Sequence, residues 1–129
     1  MNLYLLRHGI ATEPEMAGFK PDSERSLTAK GKNRLRTAAR AIVELNLSFD
    51  LILSSPFRRA KQTAEIIAKY FKLREKLAFS DDLTPAGNTS LEIDFKKGGL
   101  CKLEAEFLLY GRCAKLVWLL TPRQMELMT

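Results

Sequence analysis

Apolar and polar positions come in blocks along this chain. Asn2-Leu3-Tyr4-Leu5-Leu6 is apolar nearly throughout and breaks abruptly at Arg7-His8-Gly9. A short run apolar on both faces predicts a buried strand. Residues 9–26 keep no period: Gly9, Pro14, Gly18, Pro21 and several charges read as loop. From Thr28, an N-cap residue type, Leu35, Ala38, Ala39, Ile42, Val43 and Leu45 recur at helical spacing until about Asn46. Phe49–Leu53 predicts a second strand. Ser54-Ser55-Pro56 is a helix start, with Ser55 as cap and Pro56 at the first helical position. That helix runs to Phe71, with Ala60, Ala64, Ile67 and Phe71 turned inward. A third strand is expected at Lys76–Phe79, followed by turn chemistry at Asp81–Asn88. Two strands close the chain, Leu100–Phe107 and Lys115–Leu120, with a turn around Gly111. The first of them alternates: Cys101, Leu103 and Ala105 share one face, and Lys102, Glu104 and Glu106 the other.

Strand–helix–strand–helix order predicts an α/β fold with helices on both faces of a mostly parallel central sheet, a three-layer α/β/α arrangement ending in antiparallel strands. Such sheets bind ligands at the carboxyl ends of their strands. Arg7-His8-Gly9 and Ser54-Ser55-Pro56 both start where a predicted strand ends, so they should share one edge.

Composition narrows this little. A chain of 129 residues with 46% apolar and 28% charged positions fits one folded domain. No apolar run approaches the roughly 18–20 residues that span a bilayer, and residues 1–6 do not make a signal peptide. The expectation is a soluble, cytoplasmic protein with no membrane partner. Cys101 and Cys113 form no CxxC pair and have no metal-ligand spacing, so they read as buried thiols. The formal charge of +6 admits an anionic partner. The densest cationic run, Lys30 to Arg36, is not interleaved with aromatics as a nucleic-acid stacking platform would be, so no nucleic acid is expected.

The chemistry gathers at the predicted edge. His8 is the only histidine in the chain. Arg7, Arg58, Arg59 and a helix N-terminus would surround it with anion-binding groups. A neutral imidazole there can attack phosphorus and carry the phosphoryl group, while the cations stabilise the equatorial oxygens. A lone histidine after a strand can equally be structural, and arginines on a first turn can be merely solvated. Arginine is, however, unfavourable to the dipole at that helix end, and two together suggest a bound anion.

Leu5-Leu6-Arg7-His8-Gly9-Ile10-Ala11 resembles the RHG signature of the histidine phosphatase superfamily, which has the phosphoglycerate mutase-like fold. Leu27-Thr28-Ala29-Lys30-Gly31 resembles its L-T-x-x-G segment, and Ser54 to Ala64 (SSPFRRAKQTA) its S-S-P-x-x-R-A-x-Q-T-A segment. Asp82-Leu83-Thr84-Pro85-Ala86-Gly87 and Lys97-Gly98-Gly99-Leu100 are similar to the small SixA-type branch, the phosphohistidine phosphatases. The resemblance implies His8 as the phospho-accepting nucleophile and Arg7 and Arg59 as phosphate clamps. Arg59, not Arg58, falls on the family's arginine. It implies catalysis without a metal or cofactor. The implied substrate is a phosphohistidine-bearing protein, such as a histidine phosphotransfer domain, or else a small phosphorylated molecule. Asp82 is the candidate general acid, with turn formation as its alternative role.

The chain departs from that pattern in one respect. Family members carry a second histidine at the end of a later strand, and none is present here. The domain, 1–129, therefore reads as lacking a strand–helix segment of roughly 30–40 residues between about 90 and 97. Three explanations follow: the 129 residues belong to a longer enzyme, the chain is a degenerate and non-catalytic phosphate- or phosphoprotein-binding module, or it has acquired a new role.

Overall fold

A computed structural model of the chain describes residues 1–18, 20–85, 87, 95–105 and 114–129. Among the described residues five strands and three α-helices form: β1 (Asn2–Leu6), α1 (Ala29–Glu44), β2 (Ile52–Ser54), α2 (Arg58–Phe71), β3 (Leu77–Phe79), β4 (Leu100–Glu104), β5 (Lys115–Leu120) and α3 (Pro122–Glu126). Short 3₁₀ turns lie at Asp22–Glu24, Arg74–Lys76 and Asp81–Leu83.

The predicted helices form with starts set by capping, while the second strand forms at Ile52–Ser54 rather than over the expected Phe49–Leu53. Thr28 caps α1, its hydroxyl accepting from the Gly31 N–H at 2.9 Å. In α2, Ser55 Oγ accepts from the Phe57 N–H at 3.2 Å, so the serine turns the chain one step early and the helix itself starts at Arg58 rather than at Pro56. Lys72 ends α2 in the left-handed conformation, φ 56°. The sequence reading left α3 out. Thr121 and Gln124 form a capping box around Pro122, a signal visible as Thr-Pro-x-Gln.

The sheet differs from the predicted one. Among the described residues the strands form two ladders, an antiparallel sheet ordered β1–β4–β5 and a parallel pair β2–β3. The antiparallel C-terminal strands are as expected. A mostly parallel central sheet is not, because β1 takes β4 as its partner, with Leu3 opposite Leu103 and Leu5 opposite Cys101. Arg7 N–H to Gly99 O (3.1 Å) and Gly98 N–H to Arg7 O (3.0 Å) prolong that ladder into the loop after β1. β4 stops at Glu104, short of the predicted Phe107, and residues 106–113 lie outside the described ones, as do most of the positions around the expected missing segment. Between β4 and β5 a bulge at Val117 shifts the register.

Every described helix contributes to one core cluster. Ala38, Ala39, Ala41 and Ile42 of α1, Ile67 of α2 and Met125 of α3 meet Leu100, with Tyr4, Leu6, Ile52, Trp118 and Leu120 packed against them. Phe49, ahead of β2, links β1 to α2, edge-on to Tyr4 (5.1 Å) and to Phe71 (4.9 Å). Fully burying side chains such as Ile42 and Met125 contributes about 1.5–3 kcal/mol each. A second helical layer on the opposite face is not seen among the described residues: Leu53, Phe79, Leu116 and Leu119 are exposed there. Val43, expected inward, is also exposed. No helix among the described residues is long and apolar enough to cross a membrane.

Candidate functional site

The loop after β1 carries Arg7 and His8 and is fixed from three sides. Gly98 N–H donates to the carbonyls of both Arg7 and His8, at 3.0 and 3.1 Å. Gly98 does so at φ 80°, a conformation that favours glycine. Gly9 N–H donates to Thr63 Oγ1 (3.2 Å), and that hydroxyl donates to the Arg59 carbonyl (2.8 Å), so α2 holds the loop from below. On the far side Ile10 O accepts the Thr28 N–H at 2.9 Å, which ties the loop to the α1 cap.

His8 Nδ1 lies 2.8 Å from Gly9 O. A carbonyl only accepts, so Nδ1 carries the hydrogen and Nε2 of the neutral ring keeps its lone pair. Burial holds the His8 pKa below its ordinary 6.5, and the charges of Arg59, Arg7 and Lys97 add to this, while the Gly9 carbonyl acts the other way. The Gly9 carbonyl thus occupies Nδ1, and burial together with the charges of Arg59, Arg7 and Lys97 disfavours the protonated ring.

Arg59 is 7% exposed, on the first turn of α2. Its Nη1 donates to Asp22 O (2.9 Å) and its Nη2 to Asp22 Oδ2 (3.1 Å), and the Phe57 ring lies 5.2 Å from its guanidinium carbon. Guanidinium has five N–H donors, so three remain for an anion. Arg25 Nε holds the other oxygen of Asp22 at 2.8 Å. Desolvation pushes the Asp22 carboxyl upward, but the hydrogen bonds and charges of Arg59 and Arg25 outweigh it and leave its pKa below the usual 3.8. Arg7 Nη1 donates to the carbonyl of Phe95.

Of the predicted residues, Arg7, His8 and Arg59 are thus brought to one edge, with β1 and α2 supplying them. Arg58 points to solvent, as its reading as a bystander required. Asp82 is exposed in the turn after β3, and no hydrogen bond or ion pair joins it to His8, Arg7 or Arg59 among the described residues. Sequence reading missed Asp22 and Arg25, whose opposite charges three apart ahead of Leu27-Thr28 were a usable signal. It also missed Thr63 and Gln62 as supports; Gln62 Oε1 accepts the Leu27 N–H at 2.7 Å. No group of three or more His, Cys, Asp or Glu among the described residues could hold a metal ion.

A neutral histidine set among arginines and ending a strand is the arrangement that the family signature encodes, and a profile of the histidine phosphatase superfamily (branch 1) matches residues 3–84. The chain belongs to this superfamily. It is 31% identical over 91 residues to the phosphohistidine phosphatase SixA of Escherichia coli, covering 70% of this chain and 54% of that one. An uncharacterised protein of Picosynechococcus sp. is 47% identical over 68 residues, 53% of this chain and 40% of its own. The chain thus spans about half the length of the curated relatives it matches. Its fold is that of SixA: a tungstate complex of SixA superposes with TM-score 0.81 at 18% identity, over 97% of this chain and 99% of that one. SixA from Agrobacterium tumefaciens gives 0.75 at 21%, over 94% and 97%. The α/β, phosphoglycerate mutase-like class expected from sequence is therefore correct, although the described strands split into two ladders.

Proposed function

We propose that this histidine phosphatase family member removes the phosphoryl group from a phosphohistidine-bearing protein through a phospho-His8 intermediate. The observation that carries this reading is the His8 ring: Nδ1 engaged by Gly9 O, and Nε2 left with its lone pair among Arg7, Arg59 and Lys97. In the first step the substrate imidazole, already protonated by solvent on its other ring nitrogen, leaves as the neutral ring as its bond to phosphorus breaks and His8 Nε2 forms a bond to that phosphorus. In the second, water attacks phospho-His8, releasing inorganic phosphate and the free ring. Arg7 and Arg59 hold the three equatorial oxygens as charge shifts onto them. Asp82, exposed in the turn after β3 and in no hydrogen bond or ion pair with His8, Arg7 or Arg59 among the described residues, is proposed to assist proton transfer to the substrate imidazole through solvent.

One observation favours a second reading. With a single imidazole in the chain, the pocket has half the histidines of its family pattern, which suits a module that binds phosphate without turning it over. The two readings separate in one experiment: incubation with a protein phosphorylated on histidine, following phosphate release and acid-labile labelling of the chain. Turnover with labelling, both lost in His8→Ala, supports the phosphatase. Undiminished turnover in His8→Ala ends the mechanism, and vanadate binding without any turnover supports the binding module.

A further inference from the structure

The charge of this protein is not spread evenly. α1 and α2 together carry nine Lys and Arg against two Glu, a net +7, whereas the whole chain carries +6. The outward side of one helical layer therefore accounts for the entire positive balance, and the remainder of the molecule is close to neutral. These helices are also the ones that lead away from the candidate site.

Between them runs an open groove of about 310 Å³. Lys32 and Arg36 line it from α1, and Lys69 and Arg74 from α2 and the turn beyond. Among the described residues none of these four forms an ion pair. The groove also has an apolar floor. Ile66 and Tyr70 lie in it half-buried, and Tyr70 packs inward on the core. Gln62 closes the end nearest the site, one turn along α2 from Arg59, with its amide oxygen on Leu27 N–H.

We propose that this groove docks an acidic, amphipathic segment of the phosphoprotein that delivers its phosphoryl group to His8. The partner's identity as a phosphoprotein rests on the functional reading above. The groove's chemistry rests on its own residues. Lys32 and Arg36, one turn apart on α1, match carboxylates at the same spacing on a partner helix, Lys69 and Arg74 supply charge from the opposite rim, and the Ile66–Tyr70 floor takes apolar side chains from the face between them. A nucleic-acid backbone fits less well. It needs an unbroken cationic track and stacking surfaces, whereas here Glu65 lines the groove, paired only at 4.0 Å with Lys61, and the floor is aliphatic beside one half-buried tyrosine.

The test uses the full chain and a fluorescent amphipathic peptide with glutamates on one face and leucines on the other. Binding is compared with that of a leucine-to-serine version and of a short DNA duplex. Lys32→Glu with Lys69→Glu should weaken the Glu/Leu peptide by about tenfold, the scale of several surface charge pairs reversed together. Vanadate binding at the His8 site should remain unchanged. Lys115→Glu with Arg123→Glu removes the same charge from outside the groove and should change peptide affinity by less than about twofold. Equal weakening by the two pairs would show a bulk charge effect and overturn the inference. So would undiminished binding in the groove variant, equal binding of the serine peptide, or tighter binding of DNA that the same two substitutions abolish. A wild-type chain that takes the peptide but neither binds vanadate nor releases phosphate would overturn the functional reading and leave the groove in place.

Discussion

Replacing Gly31 by alanine sets two magnitudes against each other at the point where α1 touches the loop that carries His8. Gly31 is buried in the first turn of α1. In a free helix, alanine there would stabilise by about 0.5–1 kcal/mol. Here its Cβ would stand 2.3 Å from Ile10 O and 3.1 Å from the Ile10 carbonyl carbon and nitrogen. The obstacle is backbone and cannot rotate away. It is also anchored, since Ile10 O accepts from both the Thr28 N–H (2.9 Å) and the Thr28 hydroxyl (3.3 Å). Reaching ordinary contact means moving the loop by roughly an ångström, and overpacking of that kind costs about 1–3 kcal/mol. Weakening the bond to Thr28 adds about 1 kcal/mol. Repulsion wins, and Gly31→Ala should lose about 1–3 kcal/mol of stability in urea unfolding at unchanged m. Because Ile10 is two residues from His8, the same shift misaligns the imidazole, and vanadate affinity should fall with it. A variant more stable than the parent by about 1 kcal/mol would show that the loop is not seated on α1, and the account of how His8 is positioned would go with it.

Two further outcomes follow from the site. Arg59→Ala should weaken binding of phosphate or vanadate, measured by calorimetry, by about 1.5–3 kcal/mol, the scale of hydrogen bonds to a charged group; unchanged affinity would remove Arg59 from the anion site. His8, as the only histidine, gives a single set of imidazole NMR signals, and its titration midpoint should lie below 6.5 in the folded chain. With the folded pKa depressed, the unfolded state binds the extra proton first. Stability should therefore rise with pH up to about 6.5 and level off above it, and this slope should vanish in His8→Ala. A midpoint at or above 6.5 would refute the desolvated, cation-surrounded setting.

The fold was legible where one residue type controls one local outcome. β1 and β5 have the bounds that their apolar runs predicted, Asn2–Leu6 and Lys115–Leu120, and Thr28 caps α1 as its position required. Pairing was not legible. Nothing local in Leu3 or Leu5 tells that their neighbours are Leu103 and Cys101, about a hundred residues on, rather than the residues of β2. Strand order is a tertiary outcome, and an apolar run looks the same in either ladder. The site divides in the same way. Arg7, His8 and Arg59 stand out because each breaks a local rule, a charge at a strand end or at the wrong pole of a helix. Asp22 breaks none. In an acidic, turn-rich loop it reads as solvated, and only the 3.1 Å bond to Arg59 across 37 residues shows its part.

The single histidine then bears on which phosphoryl donor the site can serve. His8 Nε2 cannot supply a proton to the leaving group, since it must be unprotonated to attack. Asp82 is exposed and unconnected to the site among the described residues. In the proposed mechanism Arg7 and Arg59 serve to stabilise negative charge on the phosphoryl oxygens. An alkyl phosphate would leave as an alkoxide, a strong base that needs an acid at once. A phosphoimidazole can take its proton from water before the bond breaks, because imidazole has an ordinary pKa of about 6.5, and it then departs neutral. Among the described residues the carboxyl group at the site, Asp22, is held below its usual pKa by Arg59 and Arg25 and makes a poor proton donor, which matches the site to a nitrogen leaving group. That match is the chemical ground for preferring phosphohistidine over a phosphate monoester as the proposed substrate of this chain.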